Sequence, residues 1–233
     1  MKPLSFLSRT AVLTLAVMIS LTGCGSNTST APVDSKSSGQ ASSAEGQYPK
    51  MEIKFSHVAA ENTPKGQSAL KFKEFVEEKS GGNIVVKVYP SGQLYGDNDE
   101  IEAVQANNVQ IISPSAAKLS GFDKSFEIFD LPFMFKDEAS LRKFEDGEGG
   151  SKLLSKLESN GMKGLSFWPN GFKHITNNKV AINSPDDLKG LKIRTHGGQI
   201  INEVYESFGA ASTKIAFNEV YQALQLGTID GQE

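Results

Sequence analysis

The chain has 233 residues, with 24 basic and 27 acidic side chains, a net charge of −3 and a single cysteine. The slightly negative charge gives no reason to expect nucleic acid or an anionic membrane surface as a partner. One cysteine excludes an intrachain disulfide, so the fold must be stabilised by its core.

The amino terminus has the features of a bacterial secretory leader. Lys2 and Arg9 make its start basic, and residues 11–21 form an apolar run that is too short for a membrane span. The run ends at Leu-Thr-Gly-Cys, residues 21–24, which resembles the lipobox of bacterial lipoproteins. We therefore expect a signal peptide at 1–23 and a lipid on Cys24. The alternatives are a plain signal peptide or a buried thiol.

Residues 24–50 are predicted to form a lipid-anchored flexible linker. Segment 25–47 consists mostly of Ser, Thr, Gly, Ala, Asn and Gln, and it cannot bury enough apolar surface to offset its ordering entropy. The reach of such a segment grows with the square root of its length. A folded body on this linker would stay near a membrane and still move.

The first part of the body alternates strands and helices. Strands are predicted at 51–57, 83–89 and 109–112. The first helix between them starts with Thr63 as N-cap and Pro64 at the first position, and it stops at Gly81-Gly82. This order of elements indicates a parallel sheet with right-handed crossovers.

Ligands of such sheets bind beyond the carboxyl ends of the strands. This rule places His57, Asp97 and Ser115 at one rim of the sheet. Either Asp97 or Asn98 is also the predicted cap of the second helix. All three rim residues are candidates for binding a ligand.

Apolar residues dominate segment 126–135, which Pro132 interrupts. We interpret it as core that leads into a second lobe rather than as a cofactor site. The elements predicted beyond it are two helices within 137–161 separated by 147–150, strands at 163–168, 188–195 and 212–217, and helices at 202–208 and 218–226. The predicted lobes are therefore 51–130 and 131–233, both α/β.

Arg194 is the most informative single residue. After Arg9 the chain has only one other arginine, Arg142, and that one lies in an ordinary solvated helix pattern. Arg194 ends a strand-like run instead, from which it could reach across a cleft. A guanidinium fork suits bidentate capture of a carboxylate, which a lysine cannot copy. Taken alone, such an arginine is more often part of a surface ion pair.

Eight short sequence blocks occur along the body. They are Phe-Ser-His-Val at 55–58, Glu-Asn-Thr-Pro-Lys-Gly at 61–66, Tyr-Pro-Ser-Gly-Gln-Leu at 89–94, Phe-Asp-Leu-Pro-Phe at 129–133, Phe-Lys-His-Ile-Thr-Asn-Asn at 172–178, Ser-Pro-Asp-Asp-Leu-Lys-Gly-Leu-Lys-Ile-Arg at 184–194, Phe-Asn-Glu-Val-Tyr-Gln-Ala-Leu-Gln at 217–225 and Gly-Thr-Ile-Asp-Gly-Gln-Glu at 227–233. Their order and spacing, from residue 53 to the end, resemble the extracytoplasmic solute receptors of TRAP transporters, the DctP family.

The resemblance implies a two-lobe α/β fold like that of periplasmic binding proteins, with a ligand cleft between the lobes. It implies no enzymatic activity and no cofactor. Such a protein captures a small organic acid, most often a C4-dicarboxylate, and delivers it to the TRAP membrane permease. It would work outside the cytoplasm and attach to the membrane by its lipid, with no nucleic acid as a partner.

The resemblance also assigns residues. Arg194 would fork the ligand carboxylate, and Phe217 would pack against the ligand. Asn170 and Lys173 match a second motif in which some members carry an arginine, so Lys173 would supply a point charge; the alternative is a solvated lysine. His174 and His196 lie close in sequence, but no third ligand at metal-like spacing indicates a metal site.

Family members continue after Gly-Gln-Glu with Asn-Pro, whereas this sequence ends at Glu233. We therefore expect the carboxy-terminal part to be missing, including a long helix that bridges both lobes, and the second lobe to be incomplete.

Two other functions remain open from the residues. A secreted, surface-anchored hydrolase could use His57 or His174, but the chain lacks a G-x-S-x-G elbow, an H-E-x-x-H motif and a Gly-rich phosphate loop. The receptor of an ABC importer is the other alternative. Blocks 188–194 and 227–233 favour the TRAP type.

Overall fold

The computed structural model describes residues 48–233. The predicted signal peptide, Cys24 and nearly all of the predicted linker lie outside the described residues. Among the helices that the structure describes, none has the length and apolar character needed to cross a bilayer.

The first sheet confirms the predicted parallel arrangement. Its strands are β1 (Met51–Ser56), β2 (Ile84–Tyr89) and β3 (Ile111–Ile112), in the order β2-β1-β3, and both pairings are parallel. The carboxyl ends of all three strands therefore meet at one edge, as the sequence predicts.

Local capping explains helix α1 (Pro64–Lys79). The Thr63 hydroxyl accepts a hydrogen bond from the backbone N–H of Gly66 at 3.2 Å, and Pro64 occupies the first position. A Cβ at Gly66 would lie 2.4 Å from the carbonyl oxygen of Ala60, so only glycine allows this close approach. Gly81 and Gly82, both at positive φ, follow the helix end, and the prediction for α1 is confirmed.

Helix α2 (Glu100–Gln105) corrects one prediction. Its N-cap is Asp99, which makes no side-chain cap hydrogen bond, rather than Asp97 or Asn98. The carboxylate of Asp97 is occupied by Lys118 and by a backbone N–H elsewhere in the chain.

Helices α3 (Glu138–Glu145) and α4 (Glu148–Ser155) are the two helices predicted within 137–161. Their separation is shorter than predicted, because Gly149 and Gly150 lie inside α4. The strand predicted at 163–168 is wrong: this segment pairs with no strand of the described residues. An apolar run without a neighbouring ladder has no hydrogen-bond partner that would make it a strand.

The second sheet contains β4 (Thr176–Asn177), β5 (Lys192–Thr195), β6 (Ala211–Lys214) and β7 (Gly231–Gln232), in the order β4-β7-β5-β6. Strand β5 is parallel to both of its neighbours, and β4 is antiparallel to β7. Helix α5 (Gln199–Ser207) connects β5 to β6, and α6 (Val220–Gln225) precedes β7. Arg194 therefore lies in β5, the middle one of the three parallel strands β7, β5 and β6.

The strands predicted at 188–195 and 212–217 are shorter in the structure. A 3₁₀ turn at Pro185–Leu188 precedes β5, because Ser184 and Asp187 form a capping box there. Another 3₁₀ turn at Phe217–Glu219 follows β6. The helices predicted at 202–208 and 218–226 are confirmed with shifted ends.

Three clusters of buried apolar side chains form the core. One lies at the first sheet, around Phe55, and one at the second sheet, around Ile193. The third combines Phe126 and Ile101 with Leu153 of α4. Phe126 is thus core, as predicted for segment 126–135, although Phe133 in the same segment is 99% exposed. The boundary predicted at 130/131 stays a prediction, and the third cluster has members on both sides of it.

Candidate ligand site

Arg194 is a buried cation in the second sheet. It is 3% exposed, and its Nε donates a hydrogen bond to the carbonyl oxygen of Ile215 at 2.9 Å. Burial lowers its pKa, while the charges of Glu233 and Asp97 act in the opposite direction, and a guanidinium remains protonated in proteins. Among residues 48–233, no carboxylate lies within ion-pair distance of it. Its terminal nitrogens can therefore serve an anion.

Phe217 provides an aromatic surface next to this cation. The guanidinium carbon of Arg194 lies 5.9 Å from the centroid of the Phe217 ring, a distance typical of a cation–π contact. The ring is 48% exposed, so part of its face remains free to pack against a ligand.

A positive region surrounds this pair. Burial is the largest cause that lowers the pKa of Lys118, and the charges of Lys214 and Arg194 lower it further. Lys118 is therefore close enough to both of the other cations for their charges to act on it. Within the region, Asp97 forms an ion pair with Lys118 at 3.2 Å. The three cations outnumber the two carboxylates, Asp97 and Glu233, whose charges act on Arg194, and this balance favours an anionic ligand.

Lys173 belongs to a network of four charged or titratable groups that also includes Asp130, His196 and Glu233. Its Nζ lies 2.9 Å from Asp130 Oδ1 and 3.0 Å from Glu233 Oε2. The two ring nitrogens of His196 face the same two carboxylates. Lys173 keeps 42% of its side chain exposed, and its ion pairs with the two carboxylates hold it in place.

The network shifts the pKa values of its members. Burial alone would lower the pKa of His196, but hydrogen bonds to Asp130 and Glu233 outweigh burial and raise it. Burial alone would raise the pKa of Glu233. The hydrogen bonds and charges of His196 and Lys173 outweigh burial and lower this pKa to about 2. The two carboxylates thus favour the protonated form of the His196 imidazole.

Sequence reasoning did not find this network. Asp130 and Glu233 belong to the blocks at 129–133 and 227–233, but no role followed from the blocks. His196 was considered only as a metal ligand. For Asp130, the signal in the sequence was a charged residue in the otherwise apolar block 129–133, which indicates a partner for it.

Asp97 has both carboxylate oxygens occupied. Oδ2 pairs with Lys118, and Oδ1 accepts a hydrogen bond from the backbone N–H of Phe217 at 3.3 Å. The side chain is buried, with the residue 5% exposed. The structure thus brings Asp97 to Phe217 and Arg194.

Asn170 and Ser115 lie elsewhere. Both are exposed and line a cavity of about 750 Å³ with Asp130 and Lys173. Most of the lining is apolar, and it includes neither Arg194 nor Phe217. The cavity reaches the charged network through Asp130 and Lys173. We base the candidate site on Arg194, because a buried cation without an ion-pair partner indicates an anion more directly than volume does.

His57 follows the carboxyl end of β1, but its side chain is fully buried there. His57 is 0% exposed, and its ring packs edge-on against Phe55 at 5.9 Å between centroids. Burial and the charge of Lys65 lower its pKa. Its ring therefore packs beside Phe55, a member of the core of the first sheet.

Glu100 is a buried carboxyl group that the sequence did not reveal. It is 0% exposed, and within the described residues neither of its oxygens has a hydrogen-bond partner. Burial raises its pKa to about 8, although the charge of Lys65 opposes this shift. Glu100 lies in the first turn of α2, one helical turn after Asp97.

Within the described part of the chain, no group of three or more His, Cys, Asp or Glu side chains is placed to hold a metal ion. The residues that the structure brings together are a buried arginine, an aromatic ring and neighbouring lysines. A cationic cluster of this kind is typical of sites that bind anions.

Comparison with known proteins identifies the family of this chain. Residues 55–233 match the family described as bacterial extracellular solute-binding protein, family 7, or DctP. The chain belongs to this family of TRAP solute-binding proteins, as the sequence resemblance implied. Members of the family are extracytoplasmic binding proteins, not enzymes.

Relatives with known names support the assignment. The chain is 48% identical over 182 residues to the C4-dicarboxylate-binding periplasmic protein DctP of Rhodobacter capsulatus, covering 78% of this chain and 54% of that protein. It is 43% identical to the C4-dicarboxylate-binding protein DctB of Bacillus subtilis, covering 81% of this chain and 54% of that protein. The chain thus spans about half the length of these relatives.

Solved structures show the same fold. A TRAP periplasmic solute-binding protein from Shewanella oneidensis with bound succinate has a TM-score of 0.75 and 44% identity, and the match covers 79% of this chain and 60% of that one. A protein of the same kind from Pseudomonas aeruginosa with bound L-malate has a TM-score of 0.75 and 37% identity, with 78% and 63% covered. The predicted two-lobe α/β fold is therefore confirmed.

Proposed function

We propose that this protein captures a small organic acid, most often a C4-dicarboxylate, and delivers it to the membrane permease of a TRAP transporter. The observation that carries the proposal is the buried guanidinium of Arg194, which forms no ion pair at contact distance with a carboxylate of the described residues, although the charges of Glu233 and Asp97 act on it from farther away. A cation in such a place is unfavourable unless an anion pairs with it. The ligand carboxylate is that anion.

The ligand is held by a small set of groups. Arg194 binds one carboxylate of the ligand in a bidentate manner, and Phe217 packs against the carbon chain of the acid. Lys173 contributes a point charge that Asp130 and Glu233 hold in place. Asn170, next to Lys173 in the second motif, and Ser115, at the rim of the first sheet, line the neighbouring cavity and provide further polar contacts. Relatives with bound succinate and L-malate are consistent with an acid of this size.

The protein reaches its place of action through its amino terminus. Residues 1–23 direct export, Cys24 carries the lipid, and residues 24–50 link it to the body. A receptor held near the membrane meets its permease at a raised effective concentration. The lipobox sequence supports this part of the proposal.

Calorimetric titration tests the ligand site. The titrants are succinate, L-malate, fumarate, galacturonate and acetate, with an ester substrate as the probe for hydrolysis. Arg194→Ala should reduce the binding free energy of the best acid by about 2–5 kcal/mol. Arg194→Lys should restore part of it, because the charge remains and the fork is lost.

Arg142→Lys is the matched control, since Arg142 lies on α3 and pairs only with Glu138 and Glu145 of that helix. It should bind like the unchanged protein. Equal affinity of the unchanged protein and Arg194→Ala would contradict the proposed site. Hydrolysis of the ester that depends on His174 would support the hydrolase alternative instead.

A further inference from the structure

Lys214 is a second cation at the carboxyl edge of the second sheet. It is the last residue of β6 and pairs with Thr195, the last residue of β5, and the two strands are parallel. Ligands of α/β sheets bind beyond this edge. Lys214 is exposed, and among residues 48–233 its amine forms no ion pair with a carboxylate.

Gly197 gives the side chain of Lys214 its place. A Cβ at Gly197 would lie 2.9 Å from Cε of Lys214 and 3.2 Å from its Cδ, so the aliphatic stem passes directly over the glycine. Gly197 also has a φ of +114°, which L side chains rarely adopt. The loop after β5 therefore has no side chain there that would displace the lysine. The stem packs on the glycine while the amine stays in water.

The charge of Lys214 reaches the candidate site. Burial is the largest cause that lowers the pKa of Lys118, and the charges of Lys214 and Arg194 act on it in the same direction. Lys118 itself pairs with Asp97 at 3.2 Å, and Lys173 lies between the two carboxylates of its network. Arg194 and Lys214 differ from these two lysines, since neither has a carboxylate of the described residues at contact distance.

We propose that Lys214 is a specificity-determining residue whose ammonium binds the second carboxylate of the ligand while Arg194 binds the first. Two cations without contact partners at one sheet edge fit a ligand with two anionic groups, because each carboxylate then receives charge-assisted hydrogen bonds. A monocarboxylate leaves the exposed lysine in water at little cost. Lys214 therefore selects dicarboxylates over monocarboxylic acids. This inference rests on the proposed function and specifies the class of acid.

Calorimetric titration with succinate and with its monomethyl ester tests this role, because the two ligands differ by one carboxylate charge. Lys214→Met keeps an unbranched side chain over Gly197 and removes the ammonium. It should weaken succinate binding about tenfold and change the affinity for the monoester by less than about twofold. Lys214→Arg, which keeps a cation, should retain most of the preference for succinate.

Lys192→Met is the matched control. Lys192 is exposed and lies in the same strand pair as Lys214, opposite Ala211 at the other end. This variant changes the net charge of the protein by the same amount and should leave both affinities unchanged.

Acetylation of lysines, followed by mass spectrometry, gives a second readout of direct contact. Saturating succinate should protect Lys214 from the reagent, and the monoester should not. Lys192 should be modified at the same rate in all samples.

Equal losses of affinity for succinate and for the monoester in Lys214→Met would overturn the proposal, since Lys214 would then only add to a general positive potential. Unprotected Lys214 in the succinate complex would overturn it as well. If Arg194→Ala weakens succinate binding and Lys214→Met does not, the proposed function stands and the role of Lys214 is wrong. If the unchanged protein binds no acid, the proposed function fails, and the role of Lys214 fails with it.

Discussion

The guanidinium of Arg194 and the ring of Phe217 lie 5.9 Å apart, and they reach this contact from two neighbouring parallel strands. Arg194 is in β5, and Phe217 starts the turn directly after β6. The contact depends on the sheet register, because β5 and β6 pair Arg194 with Thr213. The ring of Phe217 therefore lies just beyond the carboxyl end of β6, the strand that pairs with β5, which carries Arg194.

Replacing Phe217 should weaken ligand binding through two effects. Phe217→Ala removes the apolar packing and the cation–π contact, so we expect a loss of about 1–2 kcal/mol in calorimetry. Phe217→Leu should lose about half of this, because it keeps apolar surface without the ring. Tyr221→Ala is the control, since Tyr221 is a 72% exposed aromatic on α6. Equal effects of Phe217→Ala and Tyr221→Ala would exclude the role of Phe217.

The stability of the protein should fall as pH rises because of Glu100. The pKa of Glu100 is about 8 in the folded state, against an ordinary value of 4.5. The unfolded chain therefore loses this proton first, and the folded state loses stability between pH 4.5 and 8. Denaturant unfolding should show a decrease on the order of 2 kcal/mol from pH 5 to pH 7 from this group.

Glu100→Gln should remove this contribution, because an amide resembles the neutral acid. Glu102→Gln, an exposed neighbour on α2, should leave it unchanged. An identical pH slope in the unchanged protein and in Glu100→Gln would show that Glu100 is ionised in the folded state.

His196 should add a second pH effect of the same sign. Its pKa is raised above 6.5 by Asp130 and Glu233, so its contribution is fully present below pH 6.5 and is lost as pH rises through the folded pKa. Lys173 faces the same carboxylates and limits the size of this effect. Nuclear magnetic resonance titration of the imidazole should give a pKa above 6.5.

In His196→Gln, the free energy of unfolding should fall less steeply above pH 6.5 than in the unchanged protein. Below pH 6.5, the pH dependence of the two proteins should be the same. His174→Gln is the control, because His174 is exposed. A His196 pKa below 6.5 would mean that burial outweighs the two carboxylates.

Cys24→Ala should release the protein from membranes. The lipobox resemblance at residues 21–24 predicts a lipid on Cys24, and removal of its thiol leaves no atom for the thioether. Fractionation of cells that express the full chain should place the Cys24→Ala protein in the soluble extracytoplasmic fraction. Ser26→Ala should remain with the membranes. Equal membrane association of all three proteins would exclude the anchor.

Local signals in the sequence were sufficient for some elements. Helix α1 follows from Thr63, Pro64 and the Gly81-Gly82 stop, because capping and glycine conformations act within a few residues. The parallel first sheet follows from the alternation of strands and helices. Segment 163–168 has the apolar content of a strand and forms none, because a strand needs a partner that its own residues do not specify.

The sequence by itself determined the family, the parallel first sheet and the candidate role of Arg194, because short blocks and local periodicity carry that information. Only the tertiary structure decided what surrounds the arginine. The network of Lys173, Asp130, His196 and Glu233 joins residues far apart in the chain. Likewise, Asp97 meets Phe217 across the two sheets. Such contacts depend on how the sheets pack, and no pattern of neighbouring residues encodes them.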